Sequence, residues 1–270
     1  MLSGHHPHLA SHRLLGPYRH LQPNRDCERY PSAGVYLRDH EARVREPFGV
    51  LQGALLGVVG LILAFGLTLA VGRYEDRRAA TVSESNAIGT TYLRAQLIAE
   101  PARTRSLELL RRYTDLALKV SKEVPNSSDM RRTTAAEGVL QRRLWDLAGH
   151  AVGAAPLATA PRLYIETLND TIDAQDSRLS ALNNRVPGAV LALEVFGAAA
   201  ALGLLALHIA VLGRGLFPTI AAAALVTLLL LVTFDLDRPT RGIITVPATP
   251  LVAVRASMTL PPAAQAATHP

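Results

Sequence analysis

The sequence is poor in cysteine, lysine, aromatic residues and charge. Cys27 is the single cysteine among 270 residues, so neither an intrachain disulfide nor a cysteine-based metal cluster can form. Of 28 basic residues only Lys119 and Lys122 are lysines, a bias that with the abundant alanine points to a GC-rich bacterial genome. Charged residues make up 19% of the chain and aromatic ones 5%; the arginines alternate with acids instead of clustering, which argues against a nucleic-acid surface despite a net charge of +6. Catalytic signatures are missing too: there is no phosphate-cradling glycine loop, no Ser, His and Asp in triad order, no HExxH and no paired-carboxylate signature. Neither an enzyme nor a bound cofactor is expected. Residues 1–30 lack the apolar core of ~7–15 residues that a secretory leader needs.

What the chain has in excess is apolar sequence: 49% hydrophobic residues and a mean hydropathy of +0.18. The excess is concentrated in three runs. Phe48 to Val71 is 24 residues without an acid, lysine or arginine; Gly188 to Leu212 is 25 residues with one acid; Leu216 to Phe234 is 19 residues without charge. About 20 apolar residues at ~1.5 Å rise cross a hydrocarbon core of ~30 Å. The sequence therefore predicts an all-α integral membrane protein with spans at 48–72, 188–212 and 216–234. The first is read as a retained span rather than a cleaved leader.

Residues 1–47 contain six histidines and five prolines and show no helical or strand periodicity, so they are expected to be disordered. His5, His6, His8 and His12 could meet a transition metal, but no carboxylate or second histidine cluster fixes a geometry, and no metal site is expected. Between Arg73 and Arg185 the apolar positions recur at helical spacing, with prolines between the periodic stretches. Four helices are expected: an extension of the first span to about Ile98, then Ala102 to Val124, a third capped by Ser128 or Asp129, and a fourth starting near Pro161. Gly213, Arg214 and Gly215 alone separate the second and third spans, which requires a hairpin. In the 235–270 tail, Ile243 to Val246 is expected to be a short extended segment, and the chain beyond Leu251 a loose end.

Three spans put residues 73–185 and the tail on one side of the bilayer. Arg73, Arg77, Arg78, Arg178, Arg185, Arg238 and Arg241 flank the spans there, against Arg38, Arg43, Arg45 and Arg214 on the other side. The positive-inside rule makes the helical insertion cytoplasmic and the protein a multi-pass component of a bacterial inner membrane.

Three features carry candidate function. Gly49, Gly53 and Gly57 repeat every fourth residue, with Gly60 near the same face, forming a flat strip against which a helix of this chain or of another subunit can pack. Glu194 and His208 lie about 40° apart around the second span, and ionisable groups at membrane depth suggest an ion pathway. Their alternative role is structural, since both lie near span ends. Glu84, Asn86 and Arg94, together with Asp235, Asp237, Arg238 and Arg241, form a candidate polar network, in which the carboxylates of the tail bond Arg73, Arg77 or Arg78 or else line an ion vestibule.

Phe48-Gly49-Val50-Leu51-Gln52-Gly53 running into Gly72-Arg73-Tyr74-Glu75-Asp76-Arg77-Arg78, the stretch Glu84 to Arg94 and the stretch Asp235 to Ile244 together resemble a bacterial membrane family described as bestrophin-like, over residues 45–251. Members of that family usually carry one more membrane helix ahead of the span that begins at Phe48; residues 1–47 are polar here. The resemblance implies a homo-oligomer in the lipid bilayer that passes small anions. The rival reading is a non-conducting membrane-anchored helical scaffold that binds a cytoplasmic protein partner.

Overall fold

The computed structural model describes residues 33–211 and 217–262. Two units divide the chain, Met1–Phe48 and Gly49–Pro270. The described part of the first is the start of helix α1 (Ala33–Ala95), which corrects the expectation of disorder for 33–47. Alanine, leucine, arginine and glutamate in this stretch favour helix even without an apolar period. His5, His6, His8, His12 and Cys27 lie outside the described residues.

The second unit holds the rest of α1, followed by α2 (Ala102–Val120), α3 (Ser128–Ala154), α4 (Thr159–Asn183), α5 (Gly188–Val211), α6 (Phe217–Asp237) and α7 (Thr249–Ser257). No strand occurs among the described residues. Three of these helices, α1, α5 and α6, contain stretches long and apolar enough to cross a membrane. The 47 residues from Gly49 to Ala95 extend about 70 Å, more than twice the hydrocarbon thickness, so α1 carries on well beyond its span.

Local chemistry sets the other boundaries. The Glu100 carboxylate accepts from the Thr104 amide at 3.2 Å and the Arg103 guanidinium at 2.8 Å, closing the first turn of α2. At α3 the cap is Ser127, one residue before the predicted Ser128; its hydroxyl accepts from the Met130 amide at 3.1 Å. Asn126 takes the left-handed conformation (φ 62°) needed to turn the chain there.

α2 packs on α3 and α7, and α3 on α4. Their shared core joins Ile88 and Tyr92 of α1 to Leu110, Tyr113, Leu144, Tyr164, Leu168, Leu251 and Met258. Below it the spans have their own contacts: Val59 and Leu63 of α1 against Ala198 and Ala201 of α5, with Val226 and Leu230 of α6. Nearer the helical domain, Ala70, Val186 and Leu236 cluster. The start of α5 thus meets the end of α6, the arrangement expected of a hairpin; its Gly213 to Gly215 link lies outside the described residues.

The tail departs from expectation. Residues 238–248 are irregular rather than extended, and α7 replaces the loose end expected beyond Leu251. Its cause is visible in spacing: Leu251 and Met258, seven residues apart, both enter the core fully buried. Around them Ser85 donates to the Pro250 carbonyl at 2.8 Å, and Arg111 donates to the Met258 carbonyl at 3.2 Å. Arg255 adds a two-pronged bond to Asp115 at 2.6 and 3.2 Å.

Candidate functional site

The expected residues fall at three levels along α1. In the span, Glu194 of α5 is 1% exposed, and neither of its carboxylate oxygens has a hydrogen-bond partner among the described residues. It occupies the space that glycine leaves at Gly66 of α1: a Cβ there would coincide with the carboxylate. His208, half-buried, lies 14 residues further along α5, about 21 Å by helical rise, so the structure does not bring the two together.

The glycine strip behaves differently. A Cβ at Gly49, Gly53, Gly57 or Gly60 would meet nothing within 4 Å. Among the described residues no helix packs on this strip, which corrects the intrachain version of the glycine expectation for them. The close approaches of the spans are instead at Gly66 and Gly197, where a Cβ on the latter would lie 3.6 Å from the Val59 side chain. Gly66 lies about 180° around α1 from Gly57 and about 140° from Gly53. α5 therefore holds one side of the helix and the strip occupies much of the other.

At the end of the spans, Arg77 is buried and donates to the Leu236 carbonyl at 3.0 Å. Asp237 accepts from the Val186 amide at 2.8 Å, and Asp235 accepts from the Ile243 and Ile244 amides at 2.9 and 2.7 Å. These carboxylates thus bond backbone N–H groups, and among the described residues no hydrogen bond or ion pair joins them to Arg73, Arg77 or Arg78, which corrects that part of the expected network; the Asp237 charge acts on the buried Arg77 through space. A chain leaving a helix exposes unpaired amides, and a nearby carboxylate satisfies them. Gly242 makes room for this: a Cβ there would crowd the Asp235 carboxylate, with Oδ1 2.6 Å away. Arg238 and Arg241 are exposed and outside the cluster.

Deeper in the helical domain lies a buried polar network of which Glu84 was one legible member. Glu84 of α1 forms an ion pair with Arg178 of α4, both at most 1% exposed, and accepts from the Tyr113 hydroxyl at 3.3 Å. Glu137 of α3 is 4.0 Å from Arg178 and accepts from Gln175 at 2.5 Å, while Gln141 donates to Gln175 at 2.6 Å. Desolvation drives the Glu137 carboxyl up to about 7, against the Arg178 charge that pulls it down. Burial likewise raises the Tyr113 hydroxyl well above its usual value, keeping it a donor. Asn86, two residues and about 200° from Glu84, is exposed and takes no part. Arg94 bonds elsewhere on α4, to the Leu163 carbonyl at 2.9 Å, with Glu166 3.7 Å away.

Arg178, Glu137, Tyr113, Gln175 and Gln141 were not legible as partners. The signal for α4 was present: Tyr164, Leu168, Thr171, Gln175, Arg178 and Leu182 recur at steps of four and three, and all six are buried. The stripe mixes apolar and polar side chains, so a search for apolar period alone sees only half of it. Arg178 also leaves the flanking-charge count, being a core residue rather than an interfacial one.

Comparison with known proteins agrees with this architecture. Solved bacterial bestrophin homologues from Klebsiella pneumoniae superpose with TM-scores of 0.61 to 0.64 at 16–17% identity, over 79% of this chain and 85–86% of theirs; they include the Zn-phased structure and two single-residue variants. No curated protein sequence matches. The model of the bestrophin-like domain matches residues 34–251, and the chain belongs to the bestrophin-like family of membrane proteins.

Proposed function

We propose that the chain assembles in a bacterial inner membrane as a homo-oligomer that passes small anions along α1, with the helical domain on the cytoplasmic side. The observation that carries this reading is the open glycine strip at Gly49, Gly53 and Gly57. Such a strip lets another helix approach closely, yet no helix among the described residues uses it. The spans also leave large apolar side chains outside the single-chain fold, among them Leu51, Leu61, Phe65, Phe196 and Leu228. Family membership and the fold shared with bestrophin homologues support an ion pathway; the side on which Glu194 lies supports anions over cations. Packed against Gly66, Glu194 sits largely across the helix from the strip and would not place its charge on a path running there. Its role in this reading is to hold α1 against α5.

The test is chloride flux from liposomes holding the purified protein, run beside Gly57→Leu, Glu194→Gln and His208→Ala. Flux is expected from the wild type, and Gly57→Leu is expected to abolish both the oligomer and the flux. A folded, reconstituted protein that moves no ion under varied voltage, pH and calcium overturns the reading. The scaffold alternative has one observation in its favour, exposed Trp145 and Val139 on α3. It requires that Glu194 and His208 be replaceable without loss of function while this face of α3 is not.

A further inference from the structure

Glu84 of α1, Glu137 of α3 and Arg178 of α4 place two acids and one base in the protein interior, each at most 1% exposed. One guanidinium can neutralise one carboxylate. The second acid has either to keep its proton or to bring an uncompensated charge into the core, and a buried unpaired charge is costly. Glu84 holds the direct ion pair, whereas Glu137 stands 4.0 Å from Arg178 and its Oε1 has no hydrogen-bond partner among the described residues. The extra proton therefore belongs to Glu137.

The groups that face Glu137 keep it there. Burial disfavours its charged form most; Arg178 opposes this, Glu84 from α1 and Glu123 from the link between α2 and α3 repel a negative charge, and Gln175 of α4 donates to Oε2. Tyr113 of α2 spends its hydroxyl on Glu84. The Glu137 carboxyl stands at about 7 as a result.

Arg178 has a second set of contacts. Its Nη1 donates to the Ala117 carbonyl at 3.4 Å and to the Ser121 hydroxyl at 3.3 Å, at the end of α2. With Ser121 and Thr81 it lines a cavity of about 10 Å³, closed on the other side by the irregular strap between α6 and α7, at Pro239, Thr240 and Val246 to Ala248. That is room for about one water. Moving the strap breaks no helical ladder. When Glu137 loses its proton, two carboxylates compete for one guanidinium, and water entering at Arg178 relieves the excess charge. We propose that proton loss from Glu137 unlatches the strap between α6 and α7, so that the helical domain senses the pH on its own side of the bilayer and passes it to the third span. As control of the ion pathway this rests on the function proposed above; the latch itself needs no ion flow.

The closed form keeps a proton that a hydrated open form gives up, so opening increases as pH rises from the ordinary 4.5 to about 7 and levels off above. Thr81 is 5% exposed beneath the strap, and its hydroxyl bonds back to the Arg77 carbonyl of its own helix at 2.9 Å, so Thr81→Cys is a mild probe. In full-length protein carrying Cys27→Ser, labelling of the introduced thiol by a water-soluble maleimide would be timed from pH 5.5 to 8.5, with Glu137 and with Glu137→Gln. The ratio of the two rates at each pH cancels the titration of the thiol. It should rise about thirtyfold, because about 1.5 pH units of the range lie below the Glu137 value of about 7. Ala148→Cys, fully buried in the core of α3, reports opening of the whole domain and should label at least about tenfold more slowly than Thr81→Cys. A ratio flat in pH, or equal rates at the two positions, overturns the proposal. Neither readout involves flux, so a protein that moves no ion leaves this result standing.

Discussion

Replacing Glu137 by glutamine should stabilise the protein at alkaline pH and flatten its response to pH. The Glu137 carboxyl is fully buried, and its folded value of about 7 stands above the ordinary 4.5. The folded state therefore holds a proton that the unfolded chain gives up more easily. Stability from this source is fully present below pH 4.5 and is lost as pH rises through about 7. At ~1.4 kcal/mol per unit, the whole loss is about 3 kcal/mol, of which about 2 kcal/mol falls between pH 5.5 and 8.5. Glutamine has the shape of the protonated acid and keeps an acceptor for the Gln175 amide, so the variant should match wild type near pH 5 and exceed it at pH 8.5. The assay is the melting temperature of purified protein across that range. Parallel curves for wild type and Glu137→Gln, with the same slope against pH, would refute the assignment of the proton to this residue.

Two further outcomes follow from the same contacts. Arg178→Met leaves Glu84 and Glu137 facing each other without their shared cation; loss of one partner from a buried pair costs about 3–5 kcal/mol, enough to show as aggregation on size-exclusion chromatography at pH 7.5. Gly66→Ala forces the Glu194 carboxylate out of its place, at a cost of about 1–3 kcal/mol. Adding Glu194→Ala should recover most of that loss. A double variant no more stable than Gly66→Ala alone would show that the two positions do not meet.

The spans could be read from sequence because the bilayer sets their length: a charge-free run of 24 residues has few other uses. The helices of the domain were legible where prolines and caps punctuate a period of 3.6. The site was only partly legible. Glu84 stood out because it interrupts an apolar face, but Arg178 looked like an ordinary flanking arginine, since its burial depends on α1 and α3 arriving from about 40 to 95 positions away in the chain. The same limit applies to Gly66. One isolated glycine in an apolar helix carries no pattern, whereas Gly49, Gly53 and Gly57 repeat; yet the isolated one makes the intimate contact. α7 was missed because nine residues among alanines and prolines give too little period to separate a docked helix from a tail.

That short helix also sets an order of events during synthesis. Leu251 and Met258 complete a core whose other members all lie before the second span. A growing chain can form α2, α3 and α4 early, but the face that receives α7 stays open to water until the hairpin of α5 and α6 has been made and α7 itself has left the ribosome. Closure of the domain between the first two spans thus reports that the third span is in place, and a chain whose final helix fails to insert is left with an apolar face that quality-control proteases can recognise.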